Sequence, residues 1–514
     1  MPPMDRKEEA TLCHSQSVKS DFHQFMSSSP AECVAERPTR PVQRDSGQFK
    51  VPFLTAELFV IPLDSDRYLV YAPLRRAAFV GNARTVNFIA DLREGVLDAA
   101  ADPDDSLVEL LQRMEILDAG PETLPISELM GLPEPTTISL FLTTACNLRC
   151  TYCYAAAGDT PTKLMPVEVA KRGIEFVARN AKQKGLPALE INYHGGGEPT
   201  VNWRTMVESH AFARQLAADY GIGVEAFTAT NGVLKDDQID WIVANLQGAS
   251  LSFDGLPEVH DCHRPTVSGH GSSAEVIRTI RRFDDAGFPY GIRATVTADQ
   301  ISLMADSVEF ICANFRVQRI QVEPAYQIGR WANAPSAETE GFISGFREAQ
   351  ARAAKHGREI LFSAARVGTL TDHFCGISQD TFALSPDGNV SACYETFSEN
   401  NPWSKVFFYG KPDPVKGGYQ FDLGRLNHLR RQAVQHRDYC QGCFAKWTCA
   451  GDCYHKSLTV NGSLQFQGTE RCNITRELTK DQILDRIARS GGLFWHEPPP
   501  DGEQASRAGK EFLI

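Results

Sequence analysis

No run of apolar residues in this 514-residue chain approaches the roughly eighteen that a membrane-spanning helix needs, so no membrane span is expected. An excess of basic residues is missing too. Lys and Arg number 52 against 64 Asp and Glu, and the formal net charge of −12 argues against broad binding to nucleic acid or to anionic membranes. The N-terminus has no apolar core of the kind a secretory signal requires; Asp5, Arg6, Lys7, Glu8 and Glu9 stand there instead. Nor do the 14 cysteines read as the disulfide framework of a small secreted chain. They bunch into two groups far apart in sequence, which points to metal binding in a reducing compartment, the cytoplasm. Cys13, Cys33, Cys262 and Cys312 fall outside both groups and read as ordinary thiols.

Apolar and charged fractions are those of a soluble globular protein, and the length allows two to four domains. Residues 1–45, rich in Ser, Pro and charge, are predicted to be a disordered tail. Residues 46–132 hold a small α+β domain. Alternation in AELFVIPL and RYLVYAPL predicts two strands and AAFVG a third, followed by helical spacing in TVNFIADLREG and SLVELLQRMEIL. Strands followed by helices in so short a unit resemble the winged-helix peptide-recognition elements found beside peptide-modifying enzymes. A plain structural extension is the other reading. Over residues 133–355, strand-like runs (TTISLFLT, ALEINYHG, VEAFTATNG, GASLSFDG, YGIRATVTA, RIQVEPAY) alternate with helical ones. That alternation predicts an α/β unit with a parallel sheet, whose chemistry gathers at the carboxyl ends of the strands. Residues 356–480 form a cysteine-rich domain, and 481–514 a C-terminal helix and tail.

The residues with chemistry fall at those strand ends. After the first strand, FLTTACNLRCTYCYA spaces Cys146, Cys150 and Cys153 as C-x3-C-x2-C. Three thiolates are one short of the four that close an iron–sulfur cube, leaving one iron open to a small chelating molecule. A structural zinc site is normally closed by four ligands. With Tyr152 before the last cysteine, this segment resembles the radical S-adenosylmethionine (SAM) family. The second strand ends in Gly195-Gly196-Gly197-Glu198-Pro199, similar to the family's GGEP motif, which meets the amino group of SAM. The third ends in Thr230-Asn231-Gly232, where Asn231 is either part of the SAM site or a positive-φ turn residue. Ser252 in LSFDG and Arg264 twelve residues on resemble a pair that binds the SAM carboxylate in sulfatase-maturing relatives, a sensible use of a guanidinium fork. The resemblance implies a partial (β/α)6 TIM-like radical SAM barrel.

The second group runs Cys375, then Gly388 and Cys393, then Cys440, Cys443, Cys449 and Cys453 spaced C-x2-C-x5-C-x3-C, and finally Cys472. Paired zinc ribbons would also use C-x2-C, but the whole pattern resembles the seven-cysteine SPASM extension of radical SAM enzymes. The resemblance implies one auxiliary [4Fe–4S] cluster on Cys440, Cys443, Cys449 and Cys472 and another on Cys375, Cys393 and Cys453. The latter lacks a fourth cysteine. Either one iron stays open, or water or a neighbour such as His373 or Glu395 supplies the fourth ligand. Sulfatase-maturing enzymes also carry an aspartate base directly after the G-x4-C cysteine, where this chain has Tyr394 and then Glu395; these two are the candidate catalytic residues, and the departure argues against formylglycine formation.

The family's chemistry implies three [4Fe–4S] clusters, one of them binding SAM, and reductive cleavage of SAM to a 5′-deoxyadenosyl radical. The expected function is oxidative modification or cross-linking of a side chain in a ribosomally synthesised precursor peptide. A sulfatase-maturing activity and a non-catalytic iron–sulfur scaffold are the alternatives. Implied partners are a precursor peptide or protein and an electron donor such as flavodoxin or ferredoxin.

Overall fold

The computed structural model describes residues 53–95, 105–415 and 417–497. The expected tail over residues 1–45 lies outside them. The first alternating runs form an antiparallel hairpin, β1 (Phe59–Asp64) and β2 (Arg67–Ala72), closed by a turn with Ser65 at φ 44°. Strand β3 (Ala77–Gly81) adds to β2 antiparallel. Helix α1 (Ala83–Glu94) starts where the Asn82 side chain accepts the Thr85 N–H at 3.1 Å, an N-cap that satisfies one free helical donor. Helix α2 follows at Asp105–Arg113. One face of this sheet, with Val70, Ala72 and Phe79, packs on Ile89, Leu92 and Leu111 of the two helices. Leu69, Tyr71 and Ala78 on the other face join the main core of the protein. A sheet buried on both faces behaves as an integral layer of the molecule.

The main sheet grows by parallel addition in chain order. Its strands are β4 (Thr137–Phe141), β5 (Ala188–His194), β6 (Gly223–Thr230), β7 (Gly248–Ser252), β8 (Tyr290–Val296) and β9 (Arg319–Pro324). Helices α3 (Val167–Gln183), α4 (Trp203–Tyr220), α5 (Asp236–Asn245), α6 (Pro257–His263), α7 (Ser273–Ala286) and α8 (Met304–Asn314) cover the crossovers. Alternation sorts each strand. In β5 Leu189, Ile191 and Tyr193 are buried towards the helices, whereas Glu190, Asn192 and His194 are half-buried on the opposite face. After α9 (Thr339–Lys355), β10 (Glu359–Leu361) pairs parallel with β9. At the far edge β11 (Ala383–Leu384) pairs parallel with β4. Strands β12 (Val390–Ser391), β13 (Phe408–Pro412) and β14 (Tyr419–Phe421) continue antiparallel. The order β10-β9-β8-β7-β6-β5-β4-β11-β12-β13-β14 leaves β10 and β14 at opposite ends, so the curved sheet is a partial barrel, and the cysteine-rich region is continuous with it.

Two differences from the sequence expectation stand out near the C-terminus. The final helix spans Arg471–Arg489, starting well before residue 481, because Ile474, Leu478, Ile483 and Ile487 form one unbroken buried stripe. Its first turn therefore carries Cys472. Beyond it the chain is not simply a tail. Gly491 and Gly492, at φ 97° and 80°, reverse the chain. Strand β15 (Phe494–His496) then pairs antiparallel with β3 and completes the N-terminal sheet. Three residues are too few to show alternation, so this strand was not legible in sequence. Trp495 is buried, with the Arg486 guanidinium 5.0 Å from its ring centre.

Candidate active site

Three loops meet at the carboxyl ends of β4, β5 and β6. The Thr143 hydroxyl holds the start of the cysteine loop, donating to the Lys163 carbonyl at 2.9 Å and accepting the Ala145 N–H at 2.9 Å. The glycine-rich loop docks on it: Gly197 N donates to Thr143 O at 3.0 Å and Glu198 N to Ala145 O at 2.9 Å. The approach is so close that a Cβ on Gly197 would overlap the Ala145 carbonyl, and one on Gly196 the Phe397 ring. Only glycine fits either place.

Glu198 is buried and fully engaged. One carboxylate oxygen accepts from Thr200 N (3.2 Å), Thr200 Oγ1 (2.8 Å) and Thr230 Oγ1 (2.9 Å), and the other from Asn231 N (2.8 Å). Burial still raises its pKa against those donors. Asn231 Nδ2 donates to Asn147 Oδ1 at 2.7 Å and lies 3.6 Å from the Cys146 sulfur. The positive φ of this turn belongs to Gly232, at 78°, so Asn231 is not there as a left-handed turn residue. Cys146, Cys150 and Cys153 are free, half-buried thiols. Burial, then Glu198, pushes the Cys146 thiol up to about 12. Burial also raises Cys150, while Arg264 opposes it.

Arg264 has a partner that the sequence reading did not assign. It is buried, and its fork is committed to Asp254, Nε to Oδ2 at 2.9 Å and Nη2 to Oδ1 at 3.3 Å. Burial favours the neutral acid, but Arg264 outweighs it and Asp254 is held below the ordinary carboxylate range. Asp254 also accepts the Tyr152 hydroxyl and, at 3.0 Å, the Thr295 N–H. The Arg264 guanidinium lies 5.1 Å from the Tyr152 ring centre. Tyr152, Asp254 and Arg264 are thus one buried cluster beside Cys150, and only Nη1 of Arg264 is left uncommitted by Asp254. The signal was present in the Asp of LSFDG. Ser252 ends β7, half-buried, opposite Arg293 of β8 in the parallel register.

Tyr394 and Glu395 diverge. The Tyr394 hydroxyl lies 2.9 Å from Ser139 Oγ on β4, and its ring stacks on His194 with centres 5.2 Å apart. Burial pushes the phenol up to about 12. His194 was missed by sequence reasoning although it directly precedes the glycine motif. Burial and then Arg293 lower its imidazole to about 4, so it is neutral near pH 7. Glu395 points the other way, 2.7 Å from His455 Nδ1. Burial opposes its ionisation, but His455 holds it down at about 2.

The second cysteine group separates into two sets in space. Cys440, Cys443, Cys449 and Cys472 line one cavity, with Phe466 and Arg476. Cys375, Cys393 and Cys453 lie close enough for the charges of Cys375 and Cys453 to raise the Cys393 thiol after burial and Glu395. Two buried arginines lie between the sets. Arg366 donates to Phe374 O (3.3 Å), beside Cys375, and to Cys449 O (3.2 Å). Arg437, with Nη1 on the Gly451 and Asp452 carbonyls, is surrounded by Cys440, Cys375, Cys449 and Cys453. Among the described residues no three His, Cys, Asp or Glu side chains converge as on a single ion, and no helix is long and apolar enough to cross a membrane.

The sequence model of the Radical SAM superfamily matches residues 140–301, so the chain carries a radical SAM domain. Among individual proteins it is 24% identical over 324 residues to the serine-type anaerobic sulfatase-maturating enzyme of Klebsiella aerogenes, covering 60% of this chain and 77% of that protein. It is 26% identical to the mycofactocin maturase MftC of Mycolicibacterium smegmatis, over 63% of this chain and 79% of that one. A solved structure of histidine-tagged anSMEcpe with bound AdoMet shares the fold, with a TM-score of 0.58 at 16% identity, covering 74% of this chain and 99% of the other.

Proposed function

We propose that this protein is a SPASM-type radical SAM enzyme that oxidatively modifies or cross-links a side chain in a ribosomally synthesised precursor peptide. The observation that carries the reading is the interlock of the cysteine loop, Gly197-Glu198 and Asn231 through direct hydrogen bonds at three adjacent strand ends. Three free thiols beside a cradle that admits no Cβ suit a cluster with one open iron and a small chelating ligand. Cys146, Cys150 and Cys153 would hold that cluster. The backbone at Gly196 and Gly197, with Glu198, Asn231, Ser252 and Tyr152, would hold SAM. Bound there, the two supply one-electron reductive cleavage of SAM to a 5′-deoxyadenosyl radical that takes a hydrogen atom from the substrate.

The chain's own residues position and protect. Glu198 fixes the Asn231 loop against the cysteine loop; Asp254 orients Tyr152 and Arg264 beside Cys150. Tyr394 and His194 present a neutral, stacked aromatic surface on the inner face of the sheet, where a peptide side chain would be held. Auxiliary clusters would occupy the two cysteine sets, giving three in all, supplied with electrons by flavodoxin or ferredoxin in the cytoplasm. Relatives include enzymes named as sulfatase-maturating and as a mycofactocin maturase. Tyr394 in place of the aspartate, and Glu395 turned to His455, favour the peptide reading. Anaerobically reconstituted protein, incubated with SAM, a reductant and the short peptide encoded next to its gene, should give 5′-deoxyadenosine and a mass loss in the peptide. Modification of a sulfatase-derived peptide instead would overturn the assignment.

A further inference from the structure

Arg293 stands in the middle of β8, and among the described residues its guanidinium has no hydrogen-bond acceptor and no ion-pair partner. Alternation along the strand turns Ile292, Ala294 and Val296 into the core under the helices and leaves Arg293 exposed on the opposite face. The register pairs Asn192–Phe227, Phe227–Gly248 and Ser252–Arg293 carry the inner face of His194 across the sheet to it. The carboxylate on the next strand is already taken. Glu323 accepts from Arg471 Nη1 (2.7 Å), Gln321 Nε2 (2.9 Å) and Ser363 N (2.8 Å). The buried arginines Arg264, Arg437 and Arg471 are likewise committed to oxygens of the chain itself. Arg293 is the guanidinium that the fold leaves to the concave side.

A solvated guanidinium needs no partner. Once a bound molecule displaces the water it does, because an unpaired charge in a low dielectric is costly. Whatever fills this concavity must therefore bring an anion. We propose that Arg293 determines substrate choice by binding a carboxylate of the precursor peptide, from an Asp or Glu side chain or from the C-terminus. The inference deepens, and rests on, the reading that the concavity receives a peptide. The planar fork offers two parallel donors that match a carboxylate. Arg293 is rooted two residues short of Thr295, whose N–H meets Asp254 in the loop cluster, so it stands one pleat inside the rim that carries the cysteine loop. After burial, its charge is what lowers the His194 imidazole, so it acts across the concavity on the surface made by His194 and Tyr394. A carboxylate anchored there fixes which neighbouring residue of the peptide meets the radical.

The test uses the reconstituted full chain and the short peptide encoded next to its gene, made with each Asp or Glu changed in turn to Asn or Gln, and with an amidated C-terminus. Arg293→Gln is expected to raise KM for the native peptide about tenfold or more. One of the neutralised peptides should raise KM as much on the native enzyme and add nothing further on Arg293→Gln, which identifies the carboxylate as side chain or C-terminus. Arg293→Glu should then prefer a peptide carrying Lys at that position, a gain that mere loss of packing would not give. An unchanged KM in Arg293→Gln, or native KM values for every neutralised peptide, would overturn the proposal. So would a tenfold loss of SAM affinity in Arg293→Gln measured without peptide, which would assign the guanidinium to the SAM carboxylate. A native enzyme that modifies no peptide would sink the underlying reading, and this inference with it, before any variant is compared.

Discussion

Arg264 and Asp254 form a buried ion pair, Nε to Oδ2 at 2.9 Å, with the Tyr152 hydroxyl on the same carboxylate oxygen. Arg264, expected from sequence to face the SAM carboxylate, also braces Tyr152 of the cysteine loop through Asp254. Removing one partner strands the other as an unpaired buried charge. Asp254→Asn and Arg264→Ala should each cost about 3–5 kcal/mol of stability. Thermal unfolding of the two single variants and the double variant checks this, and the double should be less damaging than the sum of the singles.

Iron analysis of the anaerobically reconstituted protein should give about twelve irons, four for each of three cubes. Changing Cys146, Cys150 and Cys153 together to Ala should remove about a third of the iron and all SAM cleavage. Zinc in place of iron would end the radical SAM mechanism for this chain.

Glu198→Gln places an amide where four donors converge, so at least one N–H or O–H must face another donor. The expected cost is about 1–3 kcal/mol, expressed as a looser Asn231 loop. Equilibrium binding should show SAM affinity reduced by about tenfold or more with the iron content intact.

Acid should act through Glu323. Burial opposes its ionisation, but Arg471, 2.7 Å away, holds the carboxyl down to about 2. A carboxylate depressed below its unfolded value of about 4.3 contributes stability that is full above that pH and is lost as the pH falls towards 2. At about 1.36 kcal/mol per pKa unit the contribution is about 3 kcal/mol. Glu323→Gln should flatten the acid limb of a stability–pH curve between about 4.5 and 2, measured by chemical denaturation.

Tyr394→Phe keeps the stack on His194 and removes only the hydroxyl near Ser139. Stability should fall by about 0.5–1.5 kcal/mol. If the hydroxyl takes part in substrate chemistry, peptide product should disappear while uncoupled SAM cleavage continues; product formed at the native rate would restrict Tyr394 to packing.

Much of the site was legible because cluster and cofactor chemistry constrains residue type and spacing locally. The C-x3-C-x2-C loop, the glycine motif and the TNG turn each lie within a few residues at a strand end, and alternation identified those strands. The hairpin before residue 95 was legible for the same reason. Residues without such local marks escaped. His194 carries no sign of its stack on Tyr394, 200 residues later in the chain, and β15 is too short to alternate.

The sequence by itself determined the parallel α/β sheet, the cysteine inventory and the loops that carry it, because periodicity and motif spacing are properties of neighbours along the chain. Tertiary structure alone decided the partners of the charged groups. Asp254 took the Arg264 fork, His455 took Glu395, and Arg437 came to lie among thiols of both cysteine sets. Buried charge is governed by what surrounds it within a few ångströms, and for these residues that surrounding comes from segments brought together only when the sheet curls and the final helix closes against it.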